Sequence, residues 1–431
     1  MLNDHKDEIA EAIHQDLHRD IVLSKLEVGS AIHEAKYLIN NLEKVLKTKQ
    51  LGTVTVQLFA KSYVVREPYG VVCVISPWNF PVNLSLIPAM GAIACGNTVF
   101  MKFSKYSEKT SKLLTELIEK YIPNEFIRCE YQTGREAIQA CCDAPFDYYF
   151  FTGSTSVGRL IHKAAAEKFV PVTLELGGKN PVIVDRKCDI KIAARRIAFF
   201  KCVNAGQVCV ACDHVFVPRE FKDEFCKEFW KCIVNMYGEN MKESKDFGRI
   251  ITKQATKKLK ELIEKSDVLY GGEVDVENKY VQPTLVHNVK MTDAIMEEEI
   301  FGPILPVIEY DTLEEVFENI KQHPNPLACY VCTNDDAMFE RVVANVNSGS
   351  ICNNDAVVHL LNSNLPFGGN CQSGLGYYHG KWSLETLSRP RTVCKAHTFI
   401  DLPFRYPPYD SFKEWVVNTL SYIEFPIINY L

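Results

Sequence analysis

GVVCVISP, Gly70 to Pro77, is a short apolar run rich in β-branched residues that ends at a proline. From this stretch onward, apolar runs of strand length alternate with segments of helical periodicity. Strands are predicted over 71–76, 98–103, 147–152, 172–176, 181–184 and 214–217, and helices over 84–94, 107–121, 155–167 and 190–202. This alternation predicts parallel βαβ units whose sheet is covered by helices on both faces.

A second series of the same kind follows along the chain. Helices are predicted near 220–237, 253–265, 312–321 and 335–346, and strands near 267–270, 304–309, 327–332 and 349–353. Two charged amphipathic helices, 6–18 and 24–47, precede the whole pattern. Since 431 residues are more than one hydrophobic core usually organises, we predict an α/β protein with two parallel-sheet lobes.

The composition is that of an ordinary globular protein, with 47% hydrophobic residues, 24% charged residues and a net charge of −6. This charge gives no reason to expect nucleic acid as a partner. The charged N-terminus lacks the apolar core of a signal peptide, and no stretch of about 18 uncharged apolar residues predicts a transmembrane helix. Sixteen cysteines without a secretory signal indicate reduced thiols and therefore a cytoplasmic location.

The C-terminal stretch FKEWVVNTLSYIEFPIINYL, residues 412–431, is apolar and aromatic but is interrupted by Lys413, Glu414 and Glu424. Such a segment either packs on a partner subunit or lies on a membrane surface. We favour packing on a partner, and we keep peripheral membrane contact through this tail as the alternative.

NAGQVCVAC, Asn204 to Cys212, places two cysteines three residues apart after a Gly-Gln pair. Cys209 could be a nucleophile, the pair could bind metal or undergo redox exchange, or both thiols could be small core residues. A thioredoxin-like pair would begin a helix after an early strand in a much smaller domain. No metal site is expected, and an inert cysteine remains the default for such a residue taken alone.

FFTGSTSVGR, Phe150 to Arg159, reads as an apolar strand, a turn bounded by glycine and the start of a helix. Backbone N–H groups at such a helix N-terminus can bind phosphate. The stretch lacks the G-x-G-x-x-G spacing, so a tight strand-to-helix turn without a ligand is an equal alternative.

VTLELGGKNP, Val172 to Pro181, places Glu175 inside an apolar strand that two glycines follow. A buried carboxylate is either paired with another group or functional, because burying it alone is costly. Burial would raise its pKa toward neutrality, which suits a general base that acts on water.

ISPWNFP, Ile75 to Pro81, ends a strand with Trp78 and Asn79 held between two prolines. An asparagine held in this way can donate its amide hydrogen to a developing oxyanion. The ordinary alternative is an asparagine that caps a turn.

These four motifs occur in one order and are followed by EEEIFGPILP, Glu297 to Pro306, and PFGGNCQSGLG, Pro366 to Gly376. Together they resemble the NAD(P)-dependent aldehyde dehydrogenase superfamily, from about Asp16 to the RYPP segment at Arg405. PVTLELGGKNP, EEEIFGPILP, YHGK and RYPP are most similar to its family 3. The resemblance implies oxidation of medium- or long-chain aliphatic or aromatic aldehydes to carboxylic acids.

The resemblance also implies a role for each motif. Cys209 takes the position of the nucleophile, which attacks the aldehyde carbon, and hydride transfer to the nicotinamide then leaves a thioester. Asn79 and the backbone N–H of Cys209 would stabilise the oxyanion, and Glu175 would activate the water that releases the acid. The cationic nicotinamide would favour the thiolate, so that no adjacent histidine is needed.

For NAD or NADP, the resemblance implies binding residues from both halves of the chain. Those expected around the adenosine and pyrophosphate are Trp78, Lys102, Ser104, Gly153, Ser154, Val157 and Gly158. Leu176 and Gly177 are expected near the nicotinamide, with Glu299 on its ribose and Phe301 against it. On their own, Lys102 and Glu299 would be interpreted as solvated charges, and Phe301 as a core residue.

Two departures from the family pattern bear on function. KFSK, Lys102 to Lys105, stands where many members read Lys-Pro-Ser-Glu, so Lys105 replaces a glutamate that would bind the adenosine ribose. Lys105 could attract a 2′-phosphate, and we therefore predict that NADP is used at least as well as NAD. Cys212 stands where family 3 usually has a proline; its expected role is that of a passive core residue, with a disulfide to Cys209 as the alternative.

The resemblance implies three parts. These are a Rossmann-like cofactor-binding domain (1–47 and 67–176), a catalytic domain (177–376), and an oligomerisation hairpin with the C-terminal tail (48–66 and 377–431). We expect a homodimer.

Other functions remain open. A non-catalytic paralogue of the same fold is one alternative, because Met1 falls inside the family's N-terminal region and its first helix is expected to be missing. An acylating, CoA-dependent aldehyde dehydrogenase is a second alternative, and a thiol hydrolase is a third.

Overall fold

A computed structural model of the protein describes residues 1–57, 59–131, 135–399 and 401–425. The helices are α1 (Lys6–Leu17), α2 (Ile21–Leu46), α3 (Asn83–Ala94), α4 (Glu108–Tyr121), α5 (Arg135–Asp143), α6 (Thr155–Glu167), α7 (Ile190–Cys202), α8 (Lys222–Tyr237), α9 (Lys253–Glu264), α10 (Ala294–Glu297), α11 (Leu313–Lys321), α12 (Asp336–Asn345), α13 (Lys381–Thr386) and α14 (Ser411–Leu420).

The strands are β1 (Lys49–Leu51), β2 (Thr53–Val54), β3 (Lys61–Pro68), β4 (Val71–Ile75), β5 (Thr98–Lys102), β6 (Ile127–Glu130), β7 (Tyr148–Thr152), β8 (Val172–Glu175), β9 (Pro181–Val184), β10 (His214–Pro218), β11 (Asp267–Tyr270), β12 (Val274–Asp275), β13 (Tyr280–Val281), β14 (Thr284–His287), β15 (Ile304–Tyr310), β16 (Ala328–Cys332), β17 (Ser350–Asn353), β18 (Gly374–Leu375), β19 (Ser388–Lys395) and β20 (Glu424–Phe425).

The first lobe is built on a six-stranded sheet in the order β18-β8-β7-β4-β5-β6. Its five long strands are parallel, and the short β18 joins the β8 edge in antiparallel orientation. Every residue of β7 is buried, as the apolar run predicts for a strand covered on both faces. Parallel strands direct their carboxyl ends to one edge, so the residues that follow β4, β5, β7 and β8 lie on the same side of the lobe.

The second lobe is built on a seven-stranded sheet in the order β11-β14-β15-β10-β9-β16-β17. It is parallel except for β11, which pairs antiparallel with β14 at the edge. The central strands β9, β10 and β16 are wholly buried. The two-lobed α/β architecture predicted from the sequence is therefore confirmed.

A third, smaller sheet joins β1, β3 and β19. β1 and β3 form the antiparallel hairpin predicted within 48–66, and β19 from the C-terminal region pairs along the whole of β3. β2 pairs with β20 near the end of the described chain. Leu58 of the hairpin and residues 426–431 of the tail lie outside the described residues.

Most predicted elements appear within two residues of their expected bounds, with instructive differences. α2 begins at Ile21 rather than 24 because the Asp20 carboxylate accepts hydrogen bonds from the N–H groups of Val22 and Leu23. β6 was not predicted because this edge strand exposes polar side chains and lacks a continuous apolar run. In the part of the chain that is described, every helix is too short or too polar to cross a membrane.

Candidate active site

The loop that carries Cys209 follows α7 in an unusual backbone conformation. Asn204 and Ala205 have φ values of 52° and 53°, and Gly206 follows with φ of 75°. A Cβ atom on Gly206 would lie 2.3 Å from the carbonyl oxygen of Gly302, so only glycine fits there. Left-handed conformations at residues other than glycine are strained, and they persist where the surrounding structure enforces them. The left-handed conformation of residues 204–206 therefore depends on close packing against Gly302.

Cys209 is partly buried in this loop and is held through its backbone. Asn180 donates its side-chain amide to the carbonyl oxygens of Cys209, at 2.8 Å, and Ala211, at 3.1 Å. Burial, with the nearby carboxyl groups of Glu299 and Glu175, raises the pKa of the Cys209 thiol to about 12. The structure thus brings these three predicted residues together, and the thiol is protonated without a bound cation.

Glu175 is the last residue of β8 and is 1% exposed. Both of its carboxyl oxygens lack a hydrogen-bond partner among the described residues. Burial raises the pKa of this carboxyl well above its ordinary value. The alternative of a structural ion pair is therefore not supported, and the Glu175 carboxyl is near enough to contribute to the raised pKa of the Cys209 thiol.

Asn79 lies in the loop after β4 and is 3% exposed. Its Nδ2 donates to the carbonyl oxygen of Gln207 at 3.1 Å, which leaves a second amide hydrogen for another acceptor. Its own carbonyl oxygen accepts from the Asn204 side chain at 3.1 Å. The two loops are therefore joined directly, two residues before Cys209.

Glu299 and Phe301 approach the end of β8 from the other lobe. A Cβ atom on Gly177 would lie 2.0 Å from the Glu299 Oε2 atom, so the carboxyl group occupies the space that this glycine leaves. Burial and the charge of Asp213 raise the pKa of Glu299 to about 8. Phe301 meets the Trp78 ring edge-on, with centroids 5.8 Å apart.

A buried ion pair anchors this segment. Lys179 Nζ lies 2.6 Å from Asp213 Oδ2 and also donates to the carbonyl oxygens of Ile295, at 3.1 Å, and Glu298, at 2.9 Å. Asp213 Oδ1 accepts from the Ile300 N–H at 3.0 Å. Lys179, two residues after Gly177, thereby fixes Glu299.

Several predicted cofactor residues surround a cavity of about 470 Å³ at the carboxyl end of β5. Its lining residues are Lys102, Ser104, Lys105, Tyr106, Ile138, Ser156, Val157 and Leu160. Lys102 is 8% exposed, and burial lowers the pKa of its ammonium group, so the alternative of a solvated surface lysine is wrong.

The glycine turn lies beside this cavity. The Gly153 N–H donates to the Glu175 carbonyl oxygen at 3.0 Å, and Ser154 precedes the first residue of α6. A Cβ atom on Gly158 would lie 2.6 Å from the Leu176 side chain, so the glycine lets α6 pack closely on the strand end. The motif thus directs a helix N-terminus towards the same edge as Glu175.

A second cavity, of about 250 Å³, leads to Cys209 and shares no lining residue with the first. Its walls are almost entirely apolar and come from α2, α3, α7 and the loop after β17; they include Leu23, Leu26, Ile87, Phe199, Phe200, Val208, Leu360 and Phe367. Arg19 and Glu27 are its charged lining residues, and burial lowers the pKa of His379, which also lines it, to about 4. The cavity suits an elongated apolar molecule.

Sequence reasoning did not identify Asn180, Arg19, Glu27 or His379. Asn180 could have been found, because it lies in the GGKN stretch that follows Glu175. Glu27 belongs to a predicted charged amphipathic helix, and Arg19 lies between that helix and the one before it. Only the folded chain brings Arg19 to Asn79 and Glu27 to Arg19.

Cys212 is fully buried and lies near Lys201 and Cys352. A second C-x-x-C pair, Cys329 and Cys332, is buried in β16. Among the residues that the structure describes, no group of three or more His, Cys, Asp or Glu side chains is placed to hold a metal ion.

The sequence is similar to those of known proteins along most of its length. Residues 1–393 match the profile of the Aldehyde dehydrogenase family. The chain is 64% identical over 431 residues to Aldehyde dehydrogenase 1 of Entamoeba histolytica, covering all of this chain and 82% of that protein. It is 39% identical to Aldehyde dehydrogenase family 3 comG of Dictyostelium discoideum, over 97% of this chain and 90% of the relative.

Solved structures share the fold. The substrate-bound AldH of Staphylococcus aureus superimposes with a TM-score of 0.92 at 36% identity, covering 97% of this chain and 92% of that one. An aldehyde dehydrogenase from Bacillus cereus with a similar fold has been solved in complex with NAD⁺. The chain therefore belongs to the aldehyde dehydrogenase family, on its family 3 branch, and is an NAD(P)-dependent enzyme that oxidises aldehydes to carboxylic acids.

Proposed function

We propose that Cys209 is the nucleophile, with Asn79 as the oxyanion donor and Glu175 as the general base. The observation that carries this proposal is the position of Cys209 in the wall of the apolar cavity, with the buried Glu175 carboxyl near enough to raise the pKa of its thiol. Cys209 would lose its thiol proton to solvent water, and its thiolate Sγ would then bond to the aldehyde carbon, while the π electrons of the carbonyl bond move to the oxygen and make it an oxyanion. Asn79 would donate its remaining amide hydrogen to that oxygen. Removing such a donor typically lowers kcat by about 10²–10³-fold.

Glu175 would act in the second half of the reaction. After the thioester forms, a carboxylate at this position would take a proton from water as the water attacks the acyl carbon, and Cys209 Sγ would leave. The raised pKa of Glu175 makes it a stronger base than a solvated carboxylate. Glu175→Gln should keep a single burst of reduced cofactor and lose steady turnover. Equal loss of burst and steady turnover would contradict the role in deacylation.

The residues present fit NAD(P). A buried lysine, a serine and a helix N-terminus border the larger cavity, and these groups suit phosphate and ribose oxygens. We assign to this cofactor the predicted residues Trp78, Lys102, Ser104, Lys105, Gly153, Ser154, Val157, Gly158, Leu176, Gly177, Glu299 and Phe301. When bound, the nicotinamide supplies the hydride acceptor, and its positive charge favours the Cys209 thiolate.

Lys105 supports use of NADP. It is exposed at the rim of the larger cavity, where a 2′-phosphate could bind its ammonium group. Lys105→Glu should lower kcat/KM for NADP by about tenfold or more and spare NAD, whereas Lys109→Glu, outside the cavity, should change neither. A strong preference for NAD that Lys105→Glu leaves untouched would refute this assignment.

The apolar cavity supports medium- or long-chain aliphatic or aromatic aldehydes as substrates. Each buried methylene contributes about 0.8 kcal/mol, so KM should fall about fourfold per added methylene until the cavity is full. A series of straight-chain aldehydes, assayed with NAD and NADP in parallel, measures this. A KM independent of chain length would contradict the assignment, and absence of turnover with every aldehyde would favour a non-catalytic paralogue. Turnover without CoA would exclude the acylating alternative.

We propose further that the enzyme is a cytoplasmic homodimer assembled through the sheet of β1, β3 and β19 with the C-terminal tail. All of β1 is exposed, and Phe412 and Trp415 of α14 are 68% and 53% exposed, which supports coverage by a partner. Light scattering after size exclusion should give twice the chain mass, and deletion of residues 410–431 should weaken the dimer. Loss of vesicle binding in that deletion, with the mass unchanged, would instead support membrane contact.

The domain boundaries 1–47 with 67–176, 177–376, and 48–66 with 377–431 remain part of this proposal. Limited proteolysis that cuts first near residues 66 and 376 would support them.

A further inference from the structure

Two charged side chains without a role so far are buried beside the apolar cavity. Arg19 lies in the turn between α1 and α2 and is 1% exposed, and Glu27, on α2, is 3% exposed. Arg19 Nη2 and Glu27 Oε2 form an ion pair, and both residues line the cavity that leads to Cys209. A buried ion pair is often no more stabilising than apolar residues of the same volume. Stability alone therefore does not account for the pair.

The pair holds the middle and the C-terminal end of the loop between β4 and α3. Arg19 Nη1 donates to the carbonyl oxygen of Asn79 at 3.1 Å. Glu27 Oε1 accepts from the N–H groups of Val82 at 2.7 Å and Asn83 at 3.0 Å. Glu27 fixes the start of α3, because its carboxylate accepts hydrogen bonds from two backbone N–H groups and from the Arg19 guanidinium. Arg19 fixes Asn79, four residues before α3 begins.

The loop held in this way continues directly to the nucleophile. The Asn79 side chain donates to the Gln207 carbonyl oxygen at 3.1 Å, and Gln207 precedes Cys209 by two residues. A shift of Asn79 would change the distance between its amide and the oxygen bound at Cys209. We propose that Arg19 and Glu27 are positioning residues that set the Asn79 amide for oxyanion stabilisation. This inference rests on the proposed role of Asn79.

The same helix provides a matched control. Glu34 lies two turns after Glu27 and is also 3% exposed. Its carboxylate accepts from the Gly380 N–H and, at 2.7 Å, from the Ser363 hydroxyl, so it holds a part of the chain other than the Asn79 loop. Glu34→Gln removes a buried carboxylate of equal depth from the same helix without touching the Asn79 loop.

The test is a double-mutant cycle on kcat. Arg19→Lys cannot make both guanidinium contacts, and Glu27→Gln loses its charge, so each should lower kcat by about 10- to 100-fold. In an Asn79→Ala background, the Arg19 and Glu27 changes should lower kcat by less than twofold further, because the group they position is gone. The effect of Glu34→Gln should be the same in both backgrounds.

Folding is checked with a variant that removes both charges. Arg19→Met with Glu27→Leu leaves no unpaired charge in the interior, although the N–H groups of Val82 and Asn83 lose their acceptor. Its melting temperature should therefore fall by less than that of Arg19→Met alone, which leaves Glu27 buried and unpaired, while kcat is still lowered. A parental kcat in this variant would overturn the inference. So would a double mutant of Arg19 and Asn79 whose fold-loss in kcat equals the product of the two single fold-losses. If Asn79→Ala alone keeps the parental kcat, the proposed oxyanion role fails instead.

Discussion

Gly206→Ala tests whether the approach of two backbone segments shapes the nucleophile loop. Gly206 has φ of 75°, and an added Cβ would lie 2.3 Å from the Gly302 carbonyl oxygen. Contacts of a real Cβ below 3.0 Å are essentially absent, so the backbone must move by about 1 Å. The left-handed conformation costs about 1–2 kcal/mol in alanine, and overpacking adds about 1–3 kcal/mol. A displacement of about 1 Å near reacting atoms can lower kcat about 100-fold.

Gly238→Ala is the matched control, since Gly238 has φ of 79° and nothing within 4 Å of an added Cβ. Its ψ of 175° places Gly238 in a region that is essentially restricted to glycine, so this variant should lose about 1–3 kcal/mol of unfolding free energy and keep the parental kcat. Urea unfolding and initial rates measure both variants. Equal stability losses, or a parental kcat in Gly206→Ala, would show that the close approach of Gly206 to Gly302 does not shape this loop.

Three further outcomes are expected. Glu299 has a folded pKa of about 8 against an ordinary value of 4.5, so the unfolded chain binds fewer protons between these values. The free energy of unfolding should therefore fall as pH rises from 4.5 to 8, and Glu299 should account for on the order of 3–5 kcal/mol of this fall. Glu299→Gln should remove the contribution of Glu299 to the pH dependence. A pH profile identical to that of the parent would contradict the raised pKa of Glu299. Lys179→Met should lower the free energy of unfolding by about 3–5 kcal/mol, because it leaves the buried Asp213 carboxylate without its lysine partner. Lys258→Met breaks an exposed pair with Glu298 and should lower it little. Equal losses in the two variants would contradict the anchoring role of Lys179. Alkylation of Cys209 by iodoacetamide without cofactor should rise about tenfold per pH unit between pH 8 and 10, because its pKa is raised to about 12; a plateau below pH 9 would contradict this.

The architecture could be predicted from the sequence where local patterns and burial agree. β7 and β9 are continuous apolar runs, and both lie in sheet centres with every residue buried. β6 and β18 could not be predicted in this way, since an edge strand or a two-residue strand carries little periodic signal. Their positions depend on partners distant in the sequence.

The site was partly predictable. The order of the motifs pointed to Cys209, Glu175 and Asn79, and the fold brings the loops that carry them together. The left-handed conformation of Ala205 had no local signal, because alanine rarely adopts it. Arg19 and Glu27 look like ordinary surface charges in the sequence, and only the tertiary fold buries them beside Asn79.

The central claim is that Cys209 carries the acyl group during turnover. Acid quench of the enzyme a few milliseconds after mixing with an aldehyde and NAD(P)⁺, followed by peptide mass spectrometry, tests it directly. The acyl mass should appear on the peptide that contains Cys209, accumulate further in Glu175→Gln, and vanish with all activity in Cys209→Ala. An acyl group on another of the sixteen cysteines, or turnover by Cys209→Ala, would contradict the account.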